Sequence, residues 1–481
     1  MRITLIFPYY SQIIPGSFMQ KIRGKYPCLG LVYIAGALEQ AGHQVQFIDA
    51  EAEDLSFMEI NKRIKKFQPQ LVGLNSTTGT FSVVRETAQA IKKEFPEIKI
   101  IVGGPQVIVF PEISLEFPEI DFGIVGEGEH SMPMLAQALQ HNNTDEFKKI
   151  PGLVYRQNGK ILINLSPEPI RDLDILPLPA WHLLPINKYT DIIAIKKNYI
   201  TMITSRGCPF NCLFCDARAR LGRSFRMHSA NYIVSQMVYL KENFNIQEIC
   251  FYDDTFTANR KRILDLCNLL IKKRLDIIWE CRTRVDTVDE ELLKKMHQAG
   301  CYRIRFGVES GNNEILKFIR KGITKDQVRK AFKLARKAGI EPAAYFMLGH
   351  PNETETTLKE TIDFALEIDP SYVNFNRVSL SPPGCDLFKW GVEHGHIEAD
   401  YWEKIVRGEK MHTPFFVTKE VPEDMINKYY KLAHRKLYFR PKFFLRALKY
   451  LSSFDVLKKY TIAFWAIFKN TILPSKEKIA A

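Results

Sequence analysis

Thr204-Ser-Arg-Gly-Cys208-Pro-Phe-Asn-Cys212-Leu-Phe-Cys215 directly follows an apolar run, Tyr199–Ser205, that reads as a β-strand. Three cysteines at x3 and x2 spacing therefore share one tight loop at a strand end. Three thiolates can ligate three corners of an iron–sulfur cube and leave the fourth iron open. An open iron can take the amine and carboxylate of a bound molecule and pass it an electron. A structural zinc site wants four ligands, and no fourth Cys or His follows at short range, the nearest histidine being His228. Three unrelated core cysteines would not share one polar turn with Arg206, Gly207 and Asn211.

From this loop onward a strand–helix rhythm continues. Strands are expected at Tyr199–Ser205, Glu248–Tyr252, Ile277–Cys281, Tyr302–Gly307, Pro342–Leu348 and Tyr372–Asn376. Helical patterns fall between them, among them Ala258–Lys273, Lys325–Ala338 and Glu355–Glu367. Six such units predict a partial (β/α) barrel with its chemistry at the C-terminal strand ends. Upstream, apolar runs at Ile3–Phe7, Gln44–Asp49, Leu71–Asn75, Lys99–Gly103 and Phe122–Val125 alternate with amphipathic stretches. That is the pattern of a doubly wound parallel sheet, which binds ligands at the carboxyl ends of its strands. The fold class is α/β: residues 1–145 form the doubly wound domain, 146–195 a proline-rich linker and 196–395 the barrel, and 396–481 are helical. A short hairpin is expected at Asn158-Gly159, inside the linker.

Composition narrows the function classes. The 481 residues are 46% hydrophobic and 25% charged, without the bias of a disordered chain. The formal charge is +13, but Arg435–Ala481 alone holds eleven Lys/Arg against two Asp/Glu. With the excess in one tail, a nucleic-acid partner is not expected. Nine cysteines scattered along a long chain are no disulfide framework, which points to a reducing, cytoplasmic location. MRITLIFPYY starts a strand at once, with no signal-peptide pattern. No stretch reaches the roughly 18 apolar residues of a membrane span. Phe444, Leu448, Leu451, Phe454 and Leu457 recur at helical spacing among Lys and Arg, followed by Tyr460–Phe468. This reads as a basic amphipathic tail, able either to lie peripherally on an anionic membrane or to pack on the barrel.

The Cys208–Cys215 run, CxxxCxxC with an aromatic before the last cysteine, resembles the radical S-adenosylmethionine (SAM) signature. The resemblance implies a [4Fe-4S] cluster on Cys208, Cys212 and Cys215 that reductively cleaves SAM to methionine and a 5′-deoxyadenosyl radical. It places Phe214 along the adenine. Asp253 and Asp254 end the second barrel strand and are positioned for the SAM ammonium or ribose, or for a helix cap. Glu309 and Ser310 end the fourth and match a polar position that touches SAM. Arg282 and Arg284 end the third, as clamps for the SAM carboxylate or as structural ion pairs. Leu348–Thr354 resembles a turn near the adenine.

A doubly wound domain before such a core is similar to the cobalamin-binding radical SAM family, over residues 1 to about 390. The matching text is Pro27–Ala35, Gly42–Val45 leading to Asp49, Val102–Pro105 and Gly126–Glu129. The likeness implies cobalamin held at Ser76, Thr77, Thr78, Gly103, Gly104, Glu127, Gly128 and Glu129; the backbone N–H groups and hydroxyls of the Ser76–Gly79 loop and Gly103-Gly104 suit its phosphate. No DxHxxG follows the first strand, so cobalt ligation by histidine is not expected, and His43 and His130 read as packing or surface residues. The absence of GxGxxG there argues against NAD. The branch resembled includes anaerobic magnesium-protoporphyrin IX monomethyl ester cyclase and hopanoid-modifying enzymes. It implies methylation of an unactivated carbon of a small-molecule or lipid-like substrate, or alternatively radical cyclisation or rearrangement, with flavodoxin or ferredoxin as electron donor. A non-catalytic iron–sulfur or cobalamin sensor would need an output module such as a helix-turn-helix, and none is legible.

Overall fold

The apolar runs of the first third become five parallel strands, β1 (Arg2–Phe7), β2 (Gln44–Asp49), β3 (Leu71–Asn75), β4 (Lys99–Gly103) and β5 (Phe122–Ile124). They lie in the order β2-β1-β3-β4-β5. The computed structural model describes residues 1–10, 24–222, 224–380, 382–409 and 415–448, with Thr461, Ile462, Trp465 and Phe468. Helices Leu29–Gln40, Phe57–Phe67, Phe81–Glu94 and Gly128–Gln140 connect or flank these strands. The strands are near-continuous Val, Ile and Leu because helices cover both faces of such a sheet. Strand order reverses between β1 and β3, opening a crevice at their carboxyl ends.

The Asn158-Gly159 hairpin is present as β6 (Leu153–Gln157) and β7 (Lys160–Ile163). Both turn residues have positive φ, 51° and 76°, as a tight two-residue hairpin loop requires. β6 pairs antiparallel with β5, so the first sheet runs on to Ile163.

The second sheet contains β8 (Tyr199–Met202), then, after a two-stranded ribbon of β9 (Ser205–Arg206) and β10 (Arg226–Met227), β11 (Glu248–Phe251), β12 (Ile278–Thr283), β13 (Cys301–Glu309), β14 (Glu341–Leu348) and β15 (Val373–Arg377). The order β8-β11-β12-β13-β14-β15 follows the chain, and every pair is parallel. This is the partial barrel of six strands. Its N-terminal end is closed by buried charge. Glu280 on β12, with no exposed surface, pairs with Arg305 and Arg303 on β13. Glu248 accepts from the Ile195 and Lys196 amides at 2.7 and 2.6 Å, and Arg303 donates to the Ile193 carbonyl at 3.0 Å. The chain entering the barrel thereby plugs its floor.

A second buried ionic group joins the two sheets. Arg206 on β9 reaches Glu127 at 3.0 Å and Glu129 at 2.5 Å, both in the loop after β5 and the helix that follows it. Arg226 on β10 grips the same Glu127 at 2.8 Å and the Ile170 carbonyl at 2.8 Å. Beside it, His228 contacts the Tyr33 hydroxyl at 3.1 Å and Asp174 at 3.1 Å. Burial holds His228 down at about 4, so it is a neutral part of the seam at pH 7.

The C-terminal helices pack outside the barrel. Glu423–Tyr438 lies on Glu355–Ile368 and β15, and Tyr401–Arg407 packs against the Thr78–Thr80 turn of the first domain. The tail helix starts at Pro441–Leu448, tied down by Arg446 on Asp369. The rest of the expected amphipathic tail, apart from four residues, lies outside the described residues. Among the described residues no helix is long and apolar enough to cross a membrane.

Truncating Arg206 to Ala leaves Glu129 buried without its partner, which should cost about 3–5 kcal/mol. Urea unfolding measures this. Arg329→Ala, which breaks the exposed pair with Glu367, should cost less than about 1 kcal/mol.

Candidate active site

The loop carrying the three cysteines is anchored at both ends. Gly207 takes φ +84°, a left-handed turn that suits glycine. Before it, the Thr204 amide and hydroxyl donate to Asp253 at 3.2 and 2.8 Å, and the Ser205 hydroxyl donates to the same carboxylate. Arg262 donates to the Thr204 carbonyl at 2.8 Å. Beyond it, the Leu213 amide donates to the Ile319 carbonyl and its carbonyl accepts from the Leu387 amide, both at 2.9 Å. Asp253 is fully buried, and its oxygens are spent on shaping this turn.

The three thiols are half-buried and unlinked. The Thr255 hydroxyl lies 3.4 Å from Cys208 Sγ, and Arg284 Nη1 lies 3.8 Å from Cys212 Sγ. Arg284 also stacks on Phe210, 3.8 Å from its centroid, and is held by Asp286 at 2.8 Å. Burial pushes the Cys212 thiol up, and the Cys215 thiol up to about 12. These sulfurs therefore need a metal's charge to become thiolates. No three His, Cys, Asp or Glu side chains among the described residues converge tightly enough for one ion. A cube, by contrast, spreads its thiolates over separate irons, so this donor set suits the cluster.

Beside the loop a second group of residues converges. The Phe214 ring lies 5.8 Å from that of His350, and Lys321 Nζ is 6.0 Å from the Phe214 centroid. Lys321 pairs with Glu309 at 2.8 Å. Glu309 holds φ +74°, a strained backbone for a residue with a side chain. His350 is buried with neither ring nitrogen partnered, and burial with Lys321 nearby lowers its pKa to about 3. An unpartnered buried imidazole against an aromatic ring suits a heterocyclic ligand with its own donors and acceptors. Below it, Glu353 accepts from the Gly349 and His350 amides at 2.6 and 3.0 Å, and burial raises it to about 8. Asp254 is exposed and makes no hydrogen bond or ion pair among the described residues. Ser310 faces the other way, 3.3 Å from the Thr361 hydroxyl and accepting from the Asn312 amide.

In the first domain Ser76, Thr77, Thr78, Gly103 and Gly104 come together at the β3 and β4 ends. The Ser76 amide donates to the Gly103 carbonyl at 2.9 Å. Thr78 Oγ1 is buried and unpartnered. Gly104 sits at φ +97°, and a Cβ there would lie 2.7 Å from the Ser76 carbonyl oxygen. Tyr10 donates to the Asn75 carbonyl at 2.7 Å, beside the crevice. The buried, unpartnered Thr78 hydroxyl offers a donor to a phosphate-bearing ligand at these strand ends. Glu127 and Glu129 stand apart, engaged by Arg206 and Arg226. Gly128 is a packing residue, since a Cβ there would meet Ile34 at 2.9 Å. His130 is exposed and His43 buried.

Two domain families match the chain: residues 202–365 match the Radical SAM superfamily and residues 17–136 a B12 binding domain. A methyltransferase of Pyrococcus horikoshii with no characterized activity is 36% identical over 449 residues, 93% of this chain and 94% of that protein. The chain belongs to the cobalamin-binding radical SAM family. It is also 30% identical over 396 residues to the anaerobic magnesium-protoporphyrin IX monomethyl ester cyclase of Rubrivivax gelatinosus, covering 81% of this chain and 70% of that one. The solved structure of the cobalamin-dependent radical SAM enzyme OxsB shares the fold at TM-score 0.73 and 19% identity, over 98% of this chain and 71% of that one.

As a member of this family the protein uses a [4Fe-4S] cluster, SAM and cobalamin. Several residues at the radical SAM site escaped sequence reading. Thr255 stands next to two more conspicuous carboxylates. Lys321, in Arg320-Lys321-Gly322, looks like an ordinary basic helix end. His350 falls within the turn that the sequence placed near the adenine, and its buried, unpartnered nitrogens are what single it out there.

Gly104→Ala should destabilise the first domain by about 2 kcal/mol through its positive φ and the Ser76 clash, and lower the corrinoid retained on purification. Thermal unfolding and corrinoid absorbance check both. Glu353 holds a proton in the folded state up to about pH 8 but ionises near 4.3 when unfolded. Its contribution is therefore present at acid pH and lost as pH rises from about 4.3 to 8. Glu353→Gln should gain stability relative to wild type across that window, read as Tm at matched pH values.

Proposed function

We propose that this protein methylates an unactivated carbon of a small-molecule or lipid-like substrate. In this reading residues 1–145 are the cobalamin-binding domain, 146–195 the linker, whose β6–β7 hairpin extends the first sheet, 196–395 the radical SAM core and 396–481 a helical cover. When bound, cluster and SAM supply a carbon-centred radical, and the corrinoid supplies the methyl group. The observation that carries the reading is the grip of Arg206 on Glu127 and Glu129. Arg206 is two residues before Cys208 at the mouth of the barrel, and its partners follow the last parallel strand of the first sheet. The ligand-binding ends of the two sheets are thus drawn against each other, which is what methyl transfer to a substrate radical requires.

The chain's own residues take definite roles in this proposal. Cys208, Cys212 and Cys215 hold the cluster, Arg284 neutralises charge at Cys212, and Thr255 donates toward Cys208. Phe214 and His350 receive the adenine. Asp254, with its free carboxylate, and Glu309, poised by Lys321, hold the ribose or ammonium. Asp253 and Ser310 act by positioning the loops that carry these groups. Ser76, Thr77, Thr78, Gly103 and Gly104 cradle the corrinoid phosphate, while Glu127, Gly128 and Glu129 build the domain seam. The electron comes from a small donor such as flavodoxin or ferredoxin, the location is cytoplasmic, and the basic tail offers peripheral membrane contact. The resemblance to the cyclase supports a second reading, radical cyclisation or rearrangement.

The test is anaerobic reconstitution with iron, sulfide and hydroxocobalamin, followed by reduction and addition of SAM. Methylation predicts both 5′-deoxyadenosine and S-adenosylhomocysteine from wild type, with no 5′-deoxyadenosine from Cys212→Ala. 5′-Deoxyadenosine without S-adenosylhomocysteine favours cyclisation. A competent cluster that cleaves no SAM with any reductant defeats both readings.

A further inference from the structure

The cations lining the barrel are mostly ion-paired. Glu280 pairs with both Arg303 and Arg305, which also meet Glu341 and Asp191 respectively, Asp286 pairs with Arg284, and Glu309 with Lys321. Arg282, on β12 between Glu280 and Arg284, is the exception. Among the described residues it makes no ion pair and no hydrogen bond, and its Nε is buried without a partner. Its guanidinium lies 3.5 Å from the Tyr252 centroid and 5.9 Å from that of Tyr345. Tyr26, from the first domain, packs on Tyr252 with centroids 5.4 Å apart. Arg282, Tyr26, Tyr252 and Tyr345 are all half-buried, neither sealed in the core nor open to bulk water. A guanidinium stacked on aromatic faces keeps its donor edge free to grip a carboxylate or phosphate-type oxyanion.

Position decides which anion. Alternate residues of a strand share a face, so Glu280, Arg282 and Arg284 point into the barrel at successive depths, about 6.6 Å apart. Arg284 is the one at Cys212, the level at which a cluster held by the three cysteines would offer its open iron to SAM. Arg282 sits one layer deeper, above the ionic floor. We propose that Arg282 is the anchor for the second reactant: the substrate bears a carboxylate, phosphonate or phosphate on an unsaturated or aromatic body. The anion docks on Arg282 and the body lies against Tyr26, Tyr252 and Tyr345. This rests on the radical SAM reading, which the wild-type SAM cleavage assay tests independently.

The probe pair is indole-3-propionate and its neutral amide, with binding to the reconstituted holoenzyme followed by saturation-transfer NMR. Wild type should bind the carboxylate at least about tenfold more tightly than the amide, as expected for a partly desolvated charge pair. In Arg282→Gln that preference should vanish, and in Arg282→Lys it should survive in part. Removing a charge that makes no ion pair should leave Tm unchanged or raised, whereas an arginine that merely braces the barrel would lower it. Equal binding of the two probes to wild type, or a preference that persists in Arg282→Gln, overturns the proposal. So does a matching loss of SAM affinity in Arg282→Gln by equilibrium dialysis, which would give Arg282 to the SAM carboxylate instead.

Discussion

The ion cluster of Arg206, Arg226, Glu127 and Glu129 is the constraint on which the remaining geometry depends. A buried guanidinium between two carboxylates is directional, and losing one member strands the others in a place water cannot reach. Its worth therefore lies less in net stability than in the single arrangement it permits. Arg206 belongs to the cysteine loop, and its partners belong to the loop closing the parallel part of the first sheet. The two ligand-binding ends thus share a boundary condition. The neutral His228, between Tyr33 and Asp174, extends that seam without adding charge.

The barrel interior follows a related rule. Ionised groups sit in a poorly hydrated space, so most are offset nearby, Arg282 excepted. The floor is sealed by Glu280, Arg303 and Arg305, braced by Glu248 and the incoming chain. The rim carries Arg284 and Lys321, each answered by a carboxylate. Between floor and rim the walls turn to tyrosine. That gradient runs from closed ionic floor through aromatic middle to cationic rim, with the cluster loop at the mouth.

Much of this was legible from the chain. The five parallel strands of the first sheet were readable as near-continuous apolar runs because helices cover both faces, and the six of the barrel from the strand–helix rhythm in which they recur. The Asn158-Gly159 turn was readable from its φ requirements, although its pairing onto β5 depends on edge geometry that a local pattern does not contain. The cysteine spacing was the strongest signal, because a cluster loop is a local object. Adjacent residues were harder to separate. Asp253 and Asp254 look alike in sequence, yet successive side chains at a strand end point to opposite sides, one into the turn and the other into the mouth. Glu127 and Glu129 read as ligand contacts because they sit at a ligand-binding strand end. Their arginines lie in the barrel, some eighty to one hundred residues away, and only folding shows them engaged.

The sequence by itself therefore determined the strand and helix complement, the two ligand-binding ends and the three cysteines, since each rests on short-range periodicity, turn chemistry or ligand spacing. Only the tertiary structure decided which polar residues are spent on framework and which remain available. Partnership of a buried charge is a property of three-dimensional neighbours. Arg206, Arg282 and Arg284 are identical as letters and differ only in what lies within a few ångströms of each guanidinium.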